Sequence, residues 1–228
     1  MIISGMVKSS LVDYPGLAAC VLFVPGCNYN CFYCHNRSLL DGTHEVLFPG
    51  YVEKFIEKRT GLLDGVVISG GEPTLQKDLI PFMKMIKKLG YKLKLDTNGS
   101  SPAVIEKILE YELCDYFAVD YKAPAGRYEE ICQGNSSAEA VLNTIHLLLK
   151  SNSGFEVRTT VIPQLGRSDL FTMAQELPVV PKYVLNRYRA PDSYNKCDSI
   201  RIMQKPYTQQ EISTLVQAIR EHQPNTIS

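Results

Sequence analysis

Three of the chain's seven cysteines fall within eight residues, in Cys27-Asn28-Tyr29-Asn30-Cys31-Phe32-Tyr33-Cys34-His35-Asn36. Closely spaced thiols are soft ligands and suit zinc, copper(I) or an iron–sulfur cluster. A structural zinc site takes four protein ligands, and His35 is the adjacent residue able to complete one. A four-iron cluster takes one ligand per iron. Three thiolates then leave one iron without a protein ligand and open to a small molecule. A set of plain buried thiols is the third reading of the loop alone. The apolar run Ala18–Val24, closed by Pro25-Gly26, reads as a buried strand. It puts the cysteines on a loop at a strand's C-terminal end.

Further polar motifs follow other apolar runs. Ser69-Gly70-Gly71-Glu72-Pro73 carries two glycines that let a ligand approach the backbone, and Glu72 can accept a hydrogen bond from an ammonium. A plain strand-to-helix turn is the alternative. Asp96-Thr97-Asn98-Gly99 reads by default as an ordinary turn. Asp120-Tyr121-Lys122 places two charges at the end of a buried strand, where charge usually has a partner. In Glu156-Val157-Arg158-Thr159-Thr160-Val161-Ile162-Pro163, alternation puts Glu156, Arg158 and Thr160 on one side. An inward Arg158 would meet a ligand's carboxylate or pair with Glu72, Asp96 or Asp120.

The elements that must position these motifs alternate between strand and helix. Strands are expected at Ala18–Val24, Gly65–Ser69, Tyr91–Leu95, Asp115–Val119, Phe155–Ile162 and Lys182–Asn186. Helical spacing of apolar residues is expected over Tyr51–Arg59, Asp78–Leu89, Ala138–Lys150 and Asp169–Leu177. Another helix opens at Ser101-Pro102, as N-cap and first helical residue. The last begins at the capping box Thr208-Gln209-Gln210-Glu211. Six strand–helix units predict a parallel sheet with helices outside, curled by right-handed crossovers into an open partial barrel, (β/α)6. A doubly wound open sheet is the alternative. In either fold the ligand lies at the C-terminal strand ends.

With 228 residues, the chain is read as a single domain, 1–228: an N-terminal extension at 1–17, a barrel core at 18–186, and a C-terminal loop and helix at 187–228. Equal numbers of acidic and basic residues, 24 each, give no global field for nucleic acid or anionic membranes. The basic residues Lys84, Lys87, Lys88, Lys92 and Lys94 read as a solvated helix face. No apolar run is long enough to span a bilayer, and Met1–Leu11 lacks a signal-peptide core. That points to the cytosol, where thiols stay reduced, and an odd cysteine count argues against a disulfide scaffold. Cys20, Cys114 and Cys132 read as buried or incidental thiols; Cys197 lies on a loop that can approach the site.

The spacing Cys-x3-Cys-x2-Cys, with Tyr33 before the last cysteine, resembles the signature of the radical S-adenosylmethionine (SAM) superfamily. Cys34-His35-Asn36 and Val12-Asp13-Tyr14-Pro15-Gly16 resemble the glycyl-radical-enzyme activases, most of all those of anaerobic ribonucleoside-triphosphate reductase. The resemblance implies the partial barrel. It also implies a [4Fe-4S] cluster on Cys27, Cys31 and Cys34, with SAM on the open iron. Gly70, Gly71, Glu72 and Pro73 would bind the SAM amino group. Asp96, Asn98, Lys122 and Arg158 would contact SAM, and Tyr33 and Ile162 would flank adenine. Asp96, Thr97, Asp120 and the Tyr121 carbonyl would hold a monovalent cation. A flavodoxin- or ferredoxin-like donor would supply an electron for reductive cleavage of SAM to methionine and a 5′-deoxyadenosyl radical. The radical would take a Cα hydrogen from a glycine of the partner enzyme. No second cysteine cluster marks an inserted ferredoxin-like segment. Activation of pyruvate formate-lyase or another glycyl radical enzyme, radical chemistry on a small molecule, and a non-catalytic zinc module are the rival readings. Asn186-Arg187-Tyr188-Arg189 lacks the His that several activases carry there, so no role is assigned to it.

Overall fold

The computed structural model describes residues 1–228. Eight strands form one sheet in sequential order: β1 (Gly5–Ser10), β2 (Ala19–Val24), β3 (Gly65–Gly70), β4 (Lys92–Thr97), β5 (Tyr116–Asp120), β6 (Gly154–Val161), β7 (Tyr183–Arg187) and β8 (Thr226–Ile227). β2 to β7 run parallel, each beside its predecessor. The helices are α1 (Arg37–Leu40), α2 (Tyr51–Lys58), α3 (Leu79–Lys88), α4 (Pro102–Glu110), α5 (Tyr128–Cys132), α6 (Ala138–Leu149), α7 (Arg167–Glu176), α8 (Ser199–Ile202) and α9 (Gln209–Ile219). Sequential parallel order curls the sheet one way, and β1 and β8 do not pair with each other. The result is the expected partial barrel, open between its edges.

Two strands were not legible in the sequence. β1 lies within residues 1–17 and pairs antiparallel with β2 through Met6↔Leu22 and Val7↔Val21, with a register shift before Ser10↔Ala19. It is an edge strand with an exposed face, Val7 included, so no buried apolar run marks it. β8 has two residues and depends on its pairing with Tyr183 and Val184.

Strand alternation divides the protein into two environments. The outward residues, among them Leu22, Ile68, Leu95, Phe117 and Val157, are fully buried and share one core with Ile56, Met83, Ile105, Ile145 and Ile212 of the helices. The barrel interior is polar toward its C-terminal end. Register aligns Asp96 with Ala118, Asp120 with Arg158, and Thr160 with Asn186. At the N-terminal end, Tyr14 packs with Ala19, Val21 and Val67. Its ring centroid lies 6.2 Å from that of Tyr116. Gly65 leaves room for it, since a Cβ there would be 3.0 Å from the Tyr14 ring. The loop after β1 therefore closes the bottom of the barrel.

The helix ends follow the sequence in part. At α9, Thr208 Oγ1 accepts from Glu211 N at 3.2 Å, and Thr208 N donates to Glu211 Oε2 at 2.7 Å. At α4, Ser101 stands at the N-cap but its hydroxyl makes no capping bond; Pro102 alone marks the start. The lysine stretch is not one solvated face. Lys94 points into the barrel, is 3% exposed and pairs with Asp96 at 2.7 Å. Lys87 and Lys92 share Asp115. No helix is long and apolar enough to cross a membrane.

Candidate functional site

The cysteine loop is anchored on both sides. Where β2 ends, Gly26 turns the chain at φ +81°. Its N–H donates to Leu39 O at 3.0 Å and its carbonyl accepts from Glu72 N at 2.7 Å. Arg37, buried under the loop, donates to Asn30 Oδ1 at 2.7 Å. Across the loop, Asn30 N donates to Cys132 O, and Asn135 N to Asn28 O, both at 2.9 Å. Cys27, Cys31 and Cys34 all line one cavity of about 220 Å³, together with Tyr33 and His35. No three His, Cys, Asp or Glu side chains converge closely enough to chelate one ion. One thiolate per iron requires ligands spread around a cluster rather than gathered at a point, so the donor set fits a cluster better than zinc.

Donors already face the sulfur of Cys27: Tyr29 N at 3.4 Å and Asn98 Nδ2 at 3.7 Å. Burial pushes the Cys27 thiol up to about 11 and raises Cys34 as well. Cys31 is lowered, chiefly by a hydrogen bond with the Cys132 side chain. Tyr33 also borders the cavity, and its hydroxyl is buried without a partner. An orphaned polar atom in a cavity wall is a natural contact for a polar ligand.

Gly70 and Gly71 form the opposite wall. Gly70 has φ +120°, and its carbonyl accepts from Asn36 Nδ2 at 2.9 Å. Glu72 departs from the expected contact with an ammonium. It is fully buried and lies behind the wall. Its Oε1 accepts from Thr74 N, Thr74 Oγ1 and Thr97 Oγ1, and its Oε2 from Asn98 N at 2.6 Å. Burial raises its carboxyl, against these donors. The carboxylate ties the loop after β3 to the loop after β4, and Pro73 is buried in the short 3-10 turn beside it.

The remaining wall is an ion-pair network at the ends of β4, β5 and β6. Arg158 lies 3.0 Å from Asp120 and 3.5 Å from Asp96. Lys122 pairs with Asp120 at 2.9 Å, and Ser69 Oγ donates to Asp96 at 3.1 Å. Of the partners the sequence offered Arg158, these two carboxylates are used and Glu72 is not. For Asp120, burial opposes ionisation, but Arg158 and then Lys122 outweigh it and bring the carboxyl from 3.8 down to about 2. Burial likewise opposes the charge on Lys122, and Asp120 more than restores it, so this lysine stays protonated.

The depressed value of Asp120 sets a pH dependence. A carboxyl that is more acidic in the folded chain stabilises it above the unfolded value; that stability is lost as pH falls from about 4 toward 2. The loss amounts to about 2 kcal/mol. We expect the stability gap between the native chain and Asp120→Asn to narrow by that amount between pH 5 and pH 2, measured by thermal unfolding. A gap that does not change with pH would refute the assignment.

The expected cation ligands are only partly assembled. Asp96, Thr97 and Asp120 line the cavity. However, Thr97 Oγ1 donates to Glu72, and the Tyr121 carbonyl accepts from Thr159 Oγ1 at 2.6 Å. Ile162 is fully buried and not on the cavity wall. Cys197 is exposed and stands away from the cavity. Arg187 and Tyr188 instead hold the C-terminal segment, through Tyr207 O and Ile202 O. Asn36, Ser69 and Thr160 line the cavity although no role was read for them; the alternation that placed Arg158 inward also marked Thr160.

Residues 21–177 match the sequence family described as the Radical SAM superfamily. The chain is 35% identical over 202 residues to a Methanocaldococcus jannaschii protein named for glycyl-radical enzyme activation; the match spans 86% of this chain and 83% of that one. It is 28% identical over 150 residues to a Thermococcus kodakarensis protein named as a GTP 3′,8-cyclase, spanning 65% of this chain and 49% of that one. Streptococcus suis SuiB, solved bound to S-adenosylmethionine, superposes with a TM-score of 0.63 at 13% identity. That superposition spans 89% of this chain and 48% of that one and shows a shared fold.

Proposed function

The chain belongs to the radical SAM superfamily and is an enzyme of its oxidoreductase type; from that premise we propose that it activates a glycyl radical enzyme, namely anaerobic ribonucleoside-triphosphate reductase. The observation that carries the activase reading is the 35% identity over 202 residues to a protein named for that activity. The reductase target rests on the motifs around Tyr14 and Cys34. The superfamily implies a [4Fe-4S] cluster and SAM. When bound, they supply a radical, generated by one-electron cleavage of the SAM sulfonium, that removes a glycine hydrogen.

Cys27, Cys31 and Cys34 would hold the cluster, with Asn98 and Tyr29 donating to the sulfur of Cys27. Gly70 and Gly71 present backbone to the SAM amino group. Glu72 acts through position, holding Thr97 and Asn98 in place, and Pro73 shapes the same turn. Arg158 and Lys122 supply positive charge for the methionine carboxylate, balanced by Asp96 and Asp120. Tyr33, whose hydroxyl has no partner in the protein, would flank the adenine; Ile162, buried off the cavity wall, is assigned no contact with it. A monovalent cation between Asp96, Thr97, Asp120 and the Tyr121 carbonyl belongs to the same proposal. In the ligand-free chain Arg158 bridges the two carboxylates. Walls of this kind keep water and oxygen out and fix the reacting carbon against one hydrogen. A flavodoxin- or ferredoxin-type protein is the proposed electron donor.

The test is anaerobic reconstitution with iron and sulfide, reduction, and incubation with SAM and the ribonucleotide reductase. We expect 5′-deoxyadenosine together with a glycyl radical signal in electron paramagnetic resonance. A radical on pyruvate formate-lyase and none on the reductase would reassign the target. Consumption of GTP, with no glycyl radical on either protein, would overturn the activase reading.

A further inference from the structure

Cys132 is one of the buried thiols without an assigned role, yet the fold brings it to the cysteine loop. It ends α5 and is fully buried; Cys31 is buried too, and both belong to one core. The juxtaposition is built from the backbone. The residue before Cys31, Asn30, donates its N–H to the carbonyl of Cys132 at 2.9 Å. Asn30 Nδ2 donates to Gln133 Oε1 at 3.3 Å, and Asn28 Nδ2 to Asn135 O at 3.3 Å. Gln133 takes φ +53°, uncommon for a residue with a side chain. Gly134 follows at φ +64°, where a Cβ would lie 2.5 Å from Asn28 O. Two segments far apart in sequence are thus held in fixed register, Cys132 being bonded through its carbonyl to the residue next to Cys31, and each thiol perturbs the other's protonation. Only one of the pair meets the cavity: Cys31 lines it, and Cys132 does not.

We propose that Cys31 and Cys132 are a redox pair that closes to a disulfide in the cluster-free chain and so protects Cys31 from irreversible oxidation. A peroxide entering the cavity meets Cys31. The Cys31 sulfur attacks one peroxide oxygen and the O–O bond breaks; the departing hydroxide takes up the proton that the Cys31 thiol gives up, so sulfenic acid and water form. Cys132 sulfur then attacks the Cys31 sulfur and expels the hydroxide, which leaves as a second water with the Cys132 proton. Two thiols lose two electrons, and one hydrogen peroxide becomes two waters. A dithiol reductant reverses the closure, whereas sulfinic and sulfonic acids are not recovered by thiols. The consequence for loading rests on the reading of Cys31 as a cluster ligand: the disulfide and the cluster compete for one sulfur, so the chain loads iron only after reduction.

The experiment uses the full ligand-free chain, reduced, desalted without air, treated with hydrogen peroxide, alkylated and mapped by mass spectrometry. The expected product is a Cys31–Cys132 linked peptide, with Cys27 and Cys34 largely alkylated. In Cys132→Ala, Cys31 is expected as sulfinic or sulfonic acid. After dithiothreitol, native chain should regain its iron-loading capacity, and Cys132→Ala should regain several-fold less. Pairing of Cys31 with Cys27 or Cys34 while Cys132 remains alkylatable would overturn the proposal; so would equal overoxidation of Cys31 with and without Cys132. The native mapping needs no variant to fold. A linked peptide in a chain that never takes up iron would leave the redox pair standing and remove the cluster reading instead.

Discussion

Cys34→Ala is expected to abolish SAM cleavage by the reconstituted protein, by at least about a thousandfold, or about 4 kcal/mol of lost barrier reduction. The reason is stoichiometric. On the proposed ligation, three thiolates would serve three irons and leave the fourth for SAM, so each thiol lost would free a second iron, and no neighbour would replace it. His35 is next in sequence and borders the same cavity, but no three such side chains converge on one point. Cys34 is the most informative of the three to change. It is partly exposed, and its backbone bond, from its N–H to Cys31 O at 3.2 Å, survives the substitution. The variant should therefore fold. The measurements are bound iron, the visible absorption of the reconstituted protein, and 5′-deoxyadenosine released under dithionite. Full cleavage activity in Cys34→Ala would show that another group ligates the cluster, and the assignment of the loop would fail.

Gly71→Ala is expected to lose more than about 4 kcal/mol of stability, in the range reserved for severe single changes. A Cβ at Gly71 would sit 1.9 Å from Gly26 O and 2.6 Å from Gly26 C. Both atoms are backbone, so no rotamer change relieves the clash. The crowding arises because Gly71 N donates to Val24 O at 2.8 Å while the next residue, Glu72, donates to Gly26 O at 2.7 Å. The turn that launches the cysteine loop and the turn that follows β3 are bonded face to face. Relief by movement breaks those bonds and shifts Cys27 relative to Gly70. For a chain of this size the loss corresponds to a fall of about 10 °C or more in the unfolding midpoint. Gly90→Ala is the control. Gly90 has φ +86° but nothing within 4 Å of a Cβ, so only the left-handed conformation is penalised, at about 1–2 kcal/mol. Equal midpoints for the two variants would mean that the contact with Gly26 is not what requires glycine at position 71.

Both predictions concern residues that stand out in the sequence, and much of the site was legible there. Apolar runs or alternation ending in turn residues located β2 to β7 to within a residue or two, because a strand buried on both faces, such as β2, reads as a continuous apolar run, and one with a polar inner face, such as β4, alternates. The same runs placed the cysteines, the paired glycines, Asp96, Asp120 and Lys122 at C-terminal strand ends, and alternation set Arg158 and Thr160 inward. Edge strands lack that signature: β1 exposes one face and β8 is too short to carry a pattern. Lys94 belongs to β4 and not to the basic face of α3: closeness in sequence groups it with Lys84, Lys87 and Lys88, whereas strand alternation turns it into the barrel.

The list of groups is readable from the residues alone: three thiols at cluster spacing, and polar residues at the ends of successive strands. Local chemistry decides these, through periodicity, turn residues and ligand type. Which partner each group takes is settled by the folded chain. Glu72 faces four donors of the polypeptide instead of the cavity. Arg158 chooses Asp96 and Asp120, and Tyr14 closes the barrel floor. Cys132 meets Cys31. These pairings join strands and loops far apart in the chain, and they follow from sheet register and close packing, which no short stretch of sequence contains.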